Sequence, residues 1–227
     1  MTSLDAFDTE SLLPEPLPAS PFPLLASWLA DARANAQTPN PNAMTLATVG
    51  PDGRPSARIV LCKDLDPDTG AVTFYTNLES RKGQEIAGNP SVALVFHWDH
   101  TDQQARVEGD VVAVADAEAD AYFASRRWES RIGAWASRQS QPLGTRQELF
   151  EAATERILDL DIDIAAAVRG DPIDIPRPPH WSGFRVLARR VELWHGSTGR
   201  LHDRAVWERA DPGRPSGGPW TVTRLQP

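Results

Sequence analysis

The sequence predicts a mainly β fold with peripheral helices. Between residues 44 and 113, five stretches of alternating or β-branched apolar residues are separated by turns that contain Gly, Pro and Asp. From Asp116 the apolar residues recur with a helical period, and β-type patterning returns after residue 184. Because a run of consecutive strands would otherwise leave two long edges exposed, we expect the sheet to close into a barrel.

The N-terminal region divides into two parts. Residues 1–20 are rich in Pro, Ser and acidic residues and have no apolar period, so we expect them to be disordered or loosely draped over the rest of the protein. Residues 21–36 begin with Pro and place Phe22, Leu25 and Trp28 at helical spacing, which predicts an amphipathic helix packed on a sheet. The pattern contains no internal repeat and no second core, and residues 21–227 are therefore predicted to form a single domain.

Five strands are predicted in the first half of the chain. A tight turn at residues 50–53 joins the first strand to the second. The end of the second strand, residues 58–63, is predicted to form a hairpin with residues 72–76 across an acidic turn that contains Pro and Gly. The five strands are residues 44–49, 54–63, 72–76, 91–98 and 104–113.

The remaining elements are indicated by capping residues and by changes of period. Residues 77–80 offer an N-cap for a short helix at residues 81–87, which Gly88 and Pro90 would end. A Pro-rich connector at residues 171–179 precedes the last strands, which we expect to complete the sheet. The later helices are residues 116–125, 129–138 and 145–160, and the late strands are residues 184–194, 201–208 and 220–225.

Composition and charge exclude several classes of function. The formal net charge of -8 and a pI near 5.1 argue against nucleic-acid binding, which usually needs a basic face. No apolar run approaches the roughly 20 residues of a membrane helix and the N-terminus is acidic, so we expect a cytoplasmic protein without a membrane partner. The single cysteine, Cys62, excludes an intramolecular disulfide and is expected to be a small buried apolar residue. Since no Cys/His cluster has metal-ligand spacing, we predict no metal site.

A group of cations and hydroxyls follows two of the predicted strands. These side chains could converge where the strand ends meet the N-terminus of the helix at residues 81–87, an electropositive place with free N–H groups. The arrangement predicts a phosphate site. The alternative is a set of solvated surface charges, since Lys and Arg are mostly exposed. The group comprises Arg58, Lys63, Arg81 and Lys82 with Tyr75, Thr76 and Ser80.

Four motifs extend this pattern over most of the chain. They are RIVLCK at residues 58–63 with FYTN at 74–77 and SRK at 80–82; IGAWASRQS at 132–140; WSGFRV at 181–186 with ELW at 192–194; and RLHDR at 200–204 with RLQP at 224–227. In type and in order, they are similar to the motifs of the pyridoxamine 5'-phosphate oxidase family. The resemblance covers the chain from about residue 42 to its end.

The resemblance implies a fold, a cofactor and a reaction. The fold would be an FMN-binding split β-barrel that forms a homodimer with FMN at the subunit interface. The reaction would be FMN-dependent oxidation of pyridoxamine 5'-phosphate or pyridoxine 5'-phosphate to pyridoxal 5'-phosphate, in the biosynthesis or salvage of vitamin B6. O2 would be the acceptor, with release of H2O2 and, from the amine, of NH3. The flavin itself would carry the redox chemistry.

The resemblance also implies residue roles. Arg200 and His202 are the catalytic pair, and because they flank Leu201 in a predicted strand we expect both side chains on the same face. Tyr122, Arg126 and Ser130 are spaced by four residues, which places them on one helix face if the helix persists that far. The implied FMN ligands are Arg58, Ile59, Val60, Leu61, Lys63, Tyr75, Thr76, Arg81, Lys82, Gln104, Gln139, Ser140, Trp194 and Arg204. The implied substrate ligands are Lys63, Tyr122, Arg126, Ser130, Arg200, Leu201 and His202.

The sequence departs from the family pattern at three places. Gln103 stands where many relatives have Arg, and Arg127 with Trp128 replaces a Pro-containing turn, which could reshape the mouth of the substrate site. Some relatives have a basic, tyrosine-containing N-terminal segment that closes over the substrate. Residues 1–20 contain no counterpart of that segment.

Other functions remain open from the sequence. They are a related flavin oxidase of phenazine biosynthesis, a non-catalytic protein that binds flavin or pyridoxal phosphate, and a split-barrel dimer with an empty groove. The residues implied for the substrate phosphate favour the vitamin B6 substrate, because a ligand without phosphate has no use for them. That set is complete in this sequence: Lys63, Tyr122, Arg126 and Ser130.

Overall fold

The computed structural model describes residues 12–35, 38–209 and 218–227, and it confirms a mainly β fold with peripheral helices. The strands are β1 (Ala43–Val49), β2 (Pro55–Leu61), β3 (Asp64–Asp66), β4 (Ala71–Asn77), β5 (Ser91–Trp98), β6 (Gln103–Ala113), β7 (Trp181–His195), β8 (Asp203–Glu208) and β9 (Thr221–Arg224). The α-helices are α1 (Phe22–Asn35), α2 (Arg81–Gly88), α3 (Asp116–Ala124), α4 (Trp128–Ala136), α5 (Arg146–Asp159) and α6 (Ile164–Arg169). Three-residue 3-10 turns lie at Asp99–Thr101 and Thr198–Arg200.

The chain forms two compact units. The sheet unit comprises Met1–Phe74, Gly88–Val112 and Arg185–Pro227, and the helical unit comprises Tyr75–Ala87 and Ala113–Phe184. The single domain predicted for residues 21–227 stays a prediction.

The strands hydrogen-bond in the order β2-β1-β5-β6-β7-β4-β3, and β8 pairs with both β7 and β9. The late strands therefore complete the sheet that begins at β1, as predicted. β1 pairs antiparallel with β2 and places Ala47 opposite Ala57. The predicted tight turn joins these two strands, and Gly53 takes a positive φ of 74° in it, a conformation that glycine adopts without steric cost.

The predicted hairpin between residues 58–63 and residues 72–76 is wrong. The run of apolar residues is divided at Cys62, whose N–H donates to Asn42 O at 2.9 Å, while the next N–H, that of Lys63, donates to Thr73 O at 2.8 Å. β2 therefore ends as a partner of β1, and the short strand β3 forms the antiparallel pair with β4. Strand type depends on the local pattern of side chains, whereas the pairing partner is set by hydrogen bonds to distant residues.

The core of the sheet unit follows the predicted alternation. Along β5, Val92, Leu94, Phe96 and Trp98 are buried, and the residues between them are half-buried or exposed. Helix α1 confirms the helix predicted for residues 21–36, of which residue 36 lies outside the described residues.

Residues 12–20 make specific contacts with the sheet unit. Leu13 is 1% exposed, and the N–H groups of Leu12 and Leu13 both donate to Asp203 Oδ2, at 3.1 and 2.8 Å. Trp207 Nε1 donates to Pro18 O at 2.8 Å. These contacts differ from the disorder or loose draping expected of residues 1–20, because partners from β8 satisfy the backbone of the segment. Residues 1–11 of that prediction lie outside the described residues.

The helical unit has a small apolar core, in which Phe123, Ile132, Ile175 and Trp181 are buried. Helix α5 begins where predicted, because the Thr145 side chain accepts the Glu148 N–H at 3.3 Å. Helix α6 was not predicted from the sequence. It has six residues, too few to show an apolar period.

Two further features concern only the described parts of the chain. No described helix has both the length and the apolar character needed to cross a membrane. No group of three or more His, Cys, Asp or Glu side chains in residues 12–35, 38–209 and 218–227 could hold a metal ion.

We predict that Gly109→Ala destabilises the sheet. A Cβ atom at Gly109 on β6 would lie 2.1 Å from the backbone oxygen of Leu187 on β7, and backbone in a paired strand has little freedom to move. Overpacking of this kind costs about 3 kcal/mol or more of unfolding free energy, measured by urea denaturation. Gly88→Ala is the matched control, because a Cβ there has nothing within 4 Å. Equal stability of the two variants would contradict the prediction.

Candidate functional site

The N-terminus of α2 collects several polar groups of the helical unit. The buried Ser80 hydroxyl accepts the Gly83 N–H at 3.4 Å and donates to Asn77 O at 2.7 Å. Lys82 Nζ donates to Ser80 Oγ at 3.0 Å and to Gln139 Oε1 at 2.6 Å. Lys82 and Gln139 were both predicted to bind FMN from motifs far apart in the chain, and the structure brings them together. A cation, a hydroxyl and a helix N-terminus form a suitable environment for an anion.

The Arg81 side chain is held by an acid one turn further along α2. Its Nε donates to Glu85 Oε1 at 2.8 Å, and Glu85 is only 5% exposed, whereas the Arg81 side chain is 64% exposed. The buried carboxylate therefore anchors an otherwise accessible guanidinium. Thr76, at the end of β4, is buried. Ser140, the other FMN ligand predicted in this unit, is exposed and has a positive φ of 74°.

Three aromatic rings of the helical unit form a stack. The Tyr75 and Tyr122 ring centroids are 4.1 Å apart with an interplanar angle of 20°, and the Tyr75 and Trp181 centroids are 5.3 Å apart at 8°. The Arg126 guanidinium lies 4.9 Å from the Trp181 centroid. Tyr75, predicted to bind FMN, thus contacts Tyr122, which was predicted to bind substrate. Trp181 begins the motif at residues 181–186, but the sequence predicted no binding role for it, because a Trp is equally typical of an apolar core.

The helix that contains Tyr122 does not persist to Arg126 and Ser130, so the condition for a shared helix face is not met. Helix α3 ends at Ala124 and α4 begins at Trp128, so Arg126 lies in the link between them. The helix is interrupted at Arg127, whose backbone is non-helical, with φ of -55° and ψ of 141°. Ser130 is exposed in the first turn of α4.

Arg126 has an unusual electrostatic environment. Burial, the largest cause, lowers the pKa of its guanidinium; the Tyr122 hydroxyl raises that pKa, and the charge of Arg131 lowers it again. Arg126 Nη1 is buried without a hydrogen-bond partner in the part of the chain that the structure describes. Since buried N–H groups are normally paired, this nitrogen is available to a ligand.

In the sheet unit, the His202 ring is fixed at one nitrogen. The Ser197 N–H donates to His202 Nδ1 at 3.1 Å, so the neutral ring carries its proton on Nε2. The ring also packs against Trp194, a predicted FMN ligand, with centroids 4.7 Å apart.

The expectation that the Arg200 and His202 side chains lie on the same face of a strand is wrong. The strand predicted for residues 201–208 begins only at Asp203, and Arg200 ends a 3-10 turn with a positive φ of 61°. Strand alternation therefore does not determine the directions of the Arg200 and His202 side chains. Arg200 is exposed, and Leu201 is 55% exposed.

Arg204 on β8 is oriented by a buried acid. Its Nε and Nη2 both lie 3.1 Å from Glu192 Oε1, and Glu192 is 3% exposed. Its Nη1 donates to Gln226 O at 3.2 Å. The carboxylate limits the conformations of a predicted FMN ligand, because an isolated buried charge would be costly.

The other predicted FMN ligands of the sheet unit lie on β2, on β6 and in the link between β2 and β3. Arg58 Nη1 donates to Leu46 O and to Ser56 O, each at 3.2 Å. The other side chains of this group are Ile59, Val60, Leu61, Lys63 and Gln104, of which Ile59 and Lys63 are exposed and the rest half-buried. Arg58 and Lys63 belong to the sheet unit, whereas Arg81 and Lys82 belong to the helical unit. Their convergence stays a prediction.

Cys62 confirms the prediction of a small buried residue, since it is 0% exposed. Burial raises the pKa of its thiol to about 12, and the charge of Arg33 opposes that rise. Cys62 therefore has the properties of a packing residue and not of a nucleophile.

Two family models match the chain. Residues 30–161 match the model described as pyridoxamine 5'-phosphate oxidase. Residues 181–227 match the model described as the pyridoxine 5'-phosphate oxidase C-terminal dimerisation region.

Relatives match over nearly the full length. The chain is 50% identical over 210 residues to a pyridoxine/pyridoxamine 5'-phosphate oxidase from Rhodospirillum rubrum, with 91% of this chain and 96% of the relative covered. It is also 50% identical over 209 residues to an enzyme of that name from Brucella canis, with 92% and 95% covered.

Solved structures extend the comparison. PhzG from Burkholderia lata 383, in complex with tetrahydrophenazine-1-carboxylic acid, has a TM-score of 0.78 and 32% identity, covering 92% of this chain and 94% of that one. A pyridoxamine 5'-phosphate oxidase-related, FMN binding protein from Nostoc punctiforme PCC 73102 has a TM-score of 0.66 and 18% identity, with 90% and 96% covered. The second similarity concerns the fold alone, and it confirms the predicted split β-barrel fold class.

We predict that native Cys62 resists alkylation. With a pKa of about 12, about one thiol in ten thousand is ionised at pH 8, whereas an unfolded cysteine has a pKa near 8.5. Labelling with iodoacetamide at pH 8, followed by mass spectrometry, should therefore modify the protein only in denaturant. Because the native pKa lies above the unfolded one, the contribution of Cys62 to stability is complete below about pH 8.5 and is lost as the pH rises towards 12. Rapid labelling of the native protein would contradict the assignment.

Proposed function

Because the chain belongs to the pyridoxamine 5'-phosphate oxidase family, we propose that it oxidises pyridoxamine 5'-phosphate or pyridoxine 5'-phosphate to pyridoxal 5'-phosphate with bound FMN. O2 is the proposed acceptor, and the proposed products include H2O2 and, from the amine, NH3. The observation that carries this proposal is the buried, unpartnered Nη1 of Arg126 next to a stack of aromatic rings. A phosphorylated aromatic substrate matches both features.

The residues present fit an FMN phosphate. Lys82 lies in the first turn of α2, the Ser80 hydroxyl comes from the residue that precedes the helix, and the Arg81 side chain is exposed next to them. Phosphate is favoured by this combination of cations, hydroxyl and helix N-terminus. When bound, FMN supplies the hydride acceptor and the reaction with O2. The proposed ligands are the residues implied from the sequence: Arg58, Ile59, Val60, Leu61, Lys63, Tyr75, Thr76, Arg81, Lys82, Gln104, Gln139, Ser140, Trp194 and Arg204.

The proposed substrate residues have distinct tasks. Lys63, Tyr122, Arg126 and Ser130 hold the phosphate. Arg200 and His202 orient the carbon that is oxidised, and Leu201 adds an apolar contact. Since His202 Nδ1 accepts from Ser197, only its Nε2 is available to the substrate. Positioning of this kind lowers the barrier without a covalent intermediate on the protein.

We propose a homodimer with FMN at the subunit interface. The match of residues 181–227 to a dimerisation region supports it. That region contains the proposed residues Trp194, Arg200, His202 and Arg204. The cytoplasmic location stays a prediction.

A phenazine-type oxidase is the second candidate, favoured by the 32% identity to PhzG. The phosphate-binding side chains distinguish the two functions, because tetrahydrophenazine-1-carboxylic acid has no phosphate. The buried, unpartnered Nη1 of the half-buried Arg126 supports the phosphorylated substrate.

We predict that FMN-loaded protein produces H2O2 and pyridoxal 5'-phosphate in air from at least one of the two phosphate esters. Absorbance of the product and a peroxidase-coupled assay measure the reaction, and tetrahydrophenazine-1-carboxylic acid is the competing substrate. A yellow protein that yields no peroxide would indicate a non-catalytic binding protein. A colourless protein that ignores FMN would indicate an empty groove.

Arg200→Ala is expected to keep FMN and to lose roughly 100-fold in kcat, because a misplaced substrate reacts slowly. Flavin absorbance of the purified variant measures cofactor retention, and peroxide release measures kcat. Arg54→Ala is the control, since Arg54 lies in the β1–β2 turn with its side chain 85% exposed. Loss of FMN together with activity would refute a role for Arg200 in orienting substrate.

A further inference from the structure

Two buried nitrogens in the helical unit lack hydrogen-bond partners. Among the side chains of residues 12–35, 38–209 and 218–227, the buried atoms without a partner are Arg126 Nη1 and Arg131 Nε. Both belong to guanidinium groups, and they come from residues five positions apart in one chain segment. Buried N–H groups without an acceptor are rare in native proteins, so such a pair indicates a missing acceptor.

The two guanidinium groups are also electrostatically coupled. The Arg126 guanidinium lies over the Phe123 and Trp181 rings, and Arg131 donates to Ile173, which packs against the same apolar core. The charge of Arg131 lowers the pKa of Arg126. Arg131 is 9% exposed, and among residues 12–35, 38–209 and 218–227 its acceptor is the neutral Ile173 O, 3.1 Å from Nη1. Two like charges with little solvent are unfavourable unless an anion compensates them.

No acidic side chain in the described part of the chain forms an ion pair with Arg126 or Arg131. Glu129, the acid closest in sequence, lies 2.7 Å from the exposed Arg127. Asp116 and Asp120 of α3 pair with Arg177. These three carboxylates have other partners, and an anion from outside the chain would supply the acceptor that the two guanidinium groups lack.

We propose that Arg131 binds the substrate phosphate together with Arg126. A phosphate dianion has three acceptor oxygens and the charge to compensate both guanidinium groups. The Ile173 contact holds Arg131 through Nη1 and leaves Nε to the phosphate. This inference rests on the proposed function for the identity of the substrate and adds Arg131 to the four residues named there.

The test uses the FMN-loaded protein and the variant Arg131→Gln. We expect the KM for pyridoxamine 5'-phosphate to rise about tenfold, because one charged hydrogen-bond donor to the phosphate is lost. The kcat for this ester and the kcat/KM for unphosphorylated pyridoxamine should not change, since neither depends on the phosphate. Calorimetric titration with inorganic phosphate should show a comparable loss of affinity.

Two other variants calibrate the result. Arg126→Gln is the positive reference, and Arg156→Gln is the matched control, because Arg156 belongs to the same unit and pairs with Asp159 at the surface of α5. Arg131→Lys keeps the charge but loses the planar fork, so its KM should lie between those of wild type and Arg131→Gln. If Arg131→Gln does not fold, Arg131→Lys replaces it in the test. Thermal denaturation and FMN retention will show whether each variant folds.

The outcomes separate this inference from the proposed function. Unchanged KM and phosphate affinity in the Arg131 variants would overturn the inference. So would an equal loss of activity towards phosphorylated and unphosphorylated substrates, because that pattern indicates a structural role. If the wild type oxidises no phosphate ester, the proposed function fails, and the phosphate titration alone decides the role of Arg131. A wild type that binds no phosphate would overturn the inference.

Discussion

The buried carboxylate of Glu192 is the constraint on which the sheet unit depends. Glu192 lies on β7, contacts Arg204 of β8 at 3.1 Å and Arg106 of β6 at 3.4 Å, and is 3% exposed. Arg190 also approaches Glu192. Burial lowers the pKa of Arg190, but its hydrogen bond to Glu208 and the neighbouring carboxylates raise the pKa by more. Because the Glu192 carboxylate would be costly to bury without its cationic partners, the ion pairs favour one register of the three strands. That register positions Arg204 and, through the same strand, the segment that contains His202.

The helical unit, in contrast, is organised around the positive charges of Arg126 and Arg131. In the sheet unit the buried acid is compensated by protein groups, whereas Arg126 and Arg131 each leave a buried N–H without a partner in the described residues. Stacked rings and α4 hold these groups in place before any ligand arrives. An anion that binds there meets oriented donors, so little reorganisation opposes binding. This difference explains why we assign ligand binding to the arginines of α3–α4 and orientation of other side chains to Glu192.

The positions of strained backbone agree with this separation of ligand-binding residues from residues that orient other side chains. Among the described non-glycine residues with positive φ are Ser140 and Arg200, which the proposed function places at the cofactor and at the substrate. Such conformations are unfavourable for residues with a Cβ and persist where the surrounding structure requires them, often at functional sites. The chain is similar over more than 90% of its length both to the pyridoxine/pyridoxamine 5'-phosphate oxidase of Rhodospirillum rubrum and to PhzG. The proposed phosphate-binding residues distinguish the two candidate functions.

The sequence by itself determined the strand and helix types and the family. The strand predicted at residues 91–98 has the bounds of β5, because alternation of buried and exposed side chains is a local property. Strand pairing was not predictable in the same way: β3 instead of β2 pairs with β4, since a register depends on hydrogen bonds to residues far along the chain. Arg131 shows the limit most clearly. Its residue type is visible in the sequence, but only the tertiary structure shows that its Nε is buried without an acceptor, because burial and pairing depend on all the neighbours that folding brings together.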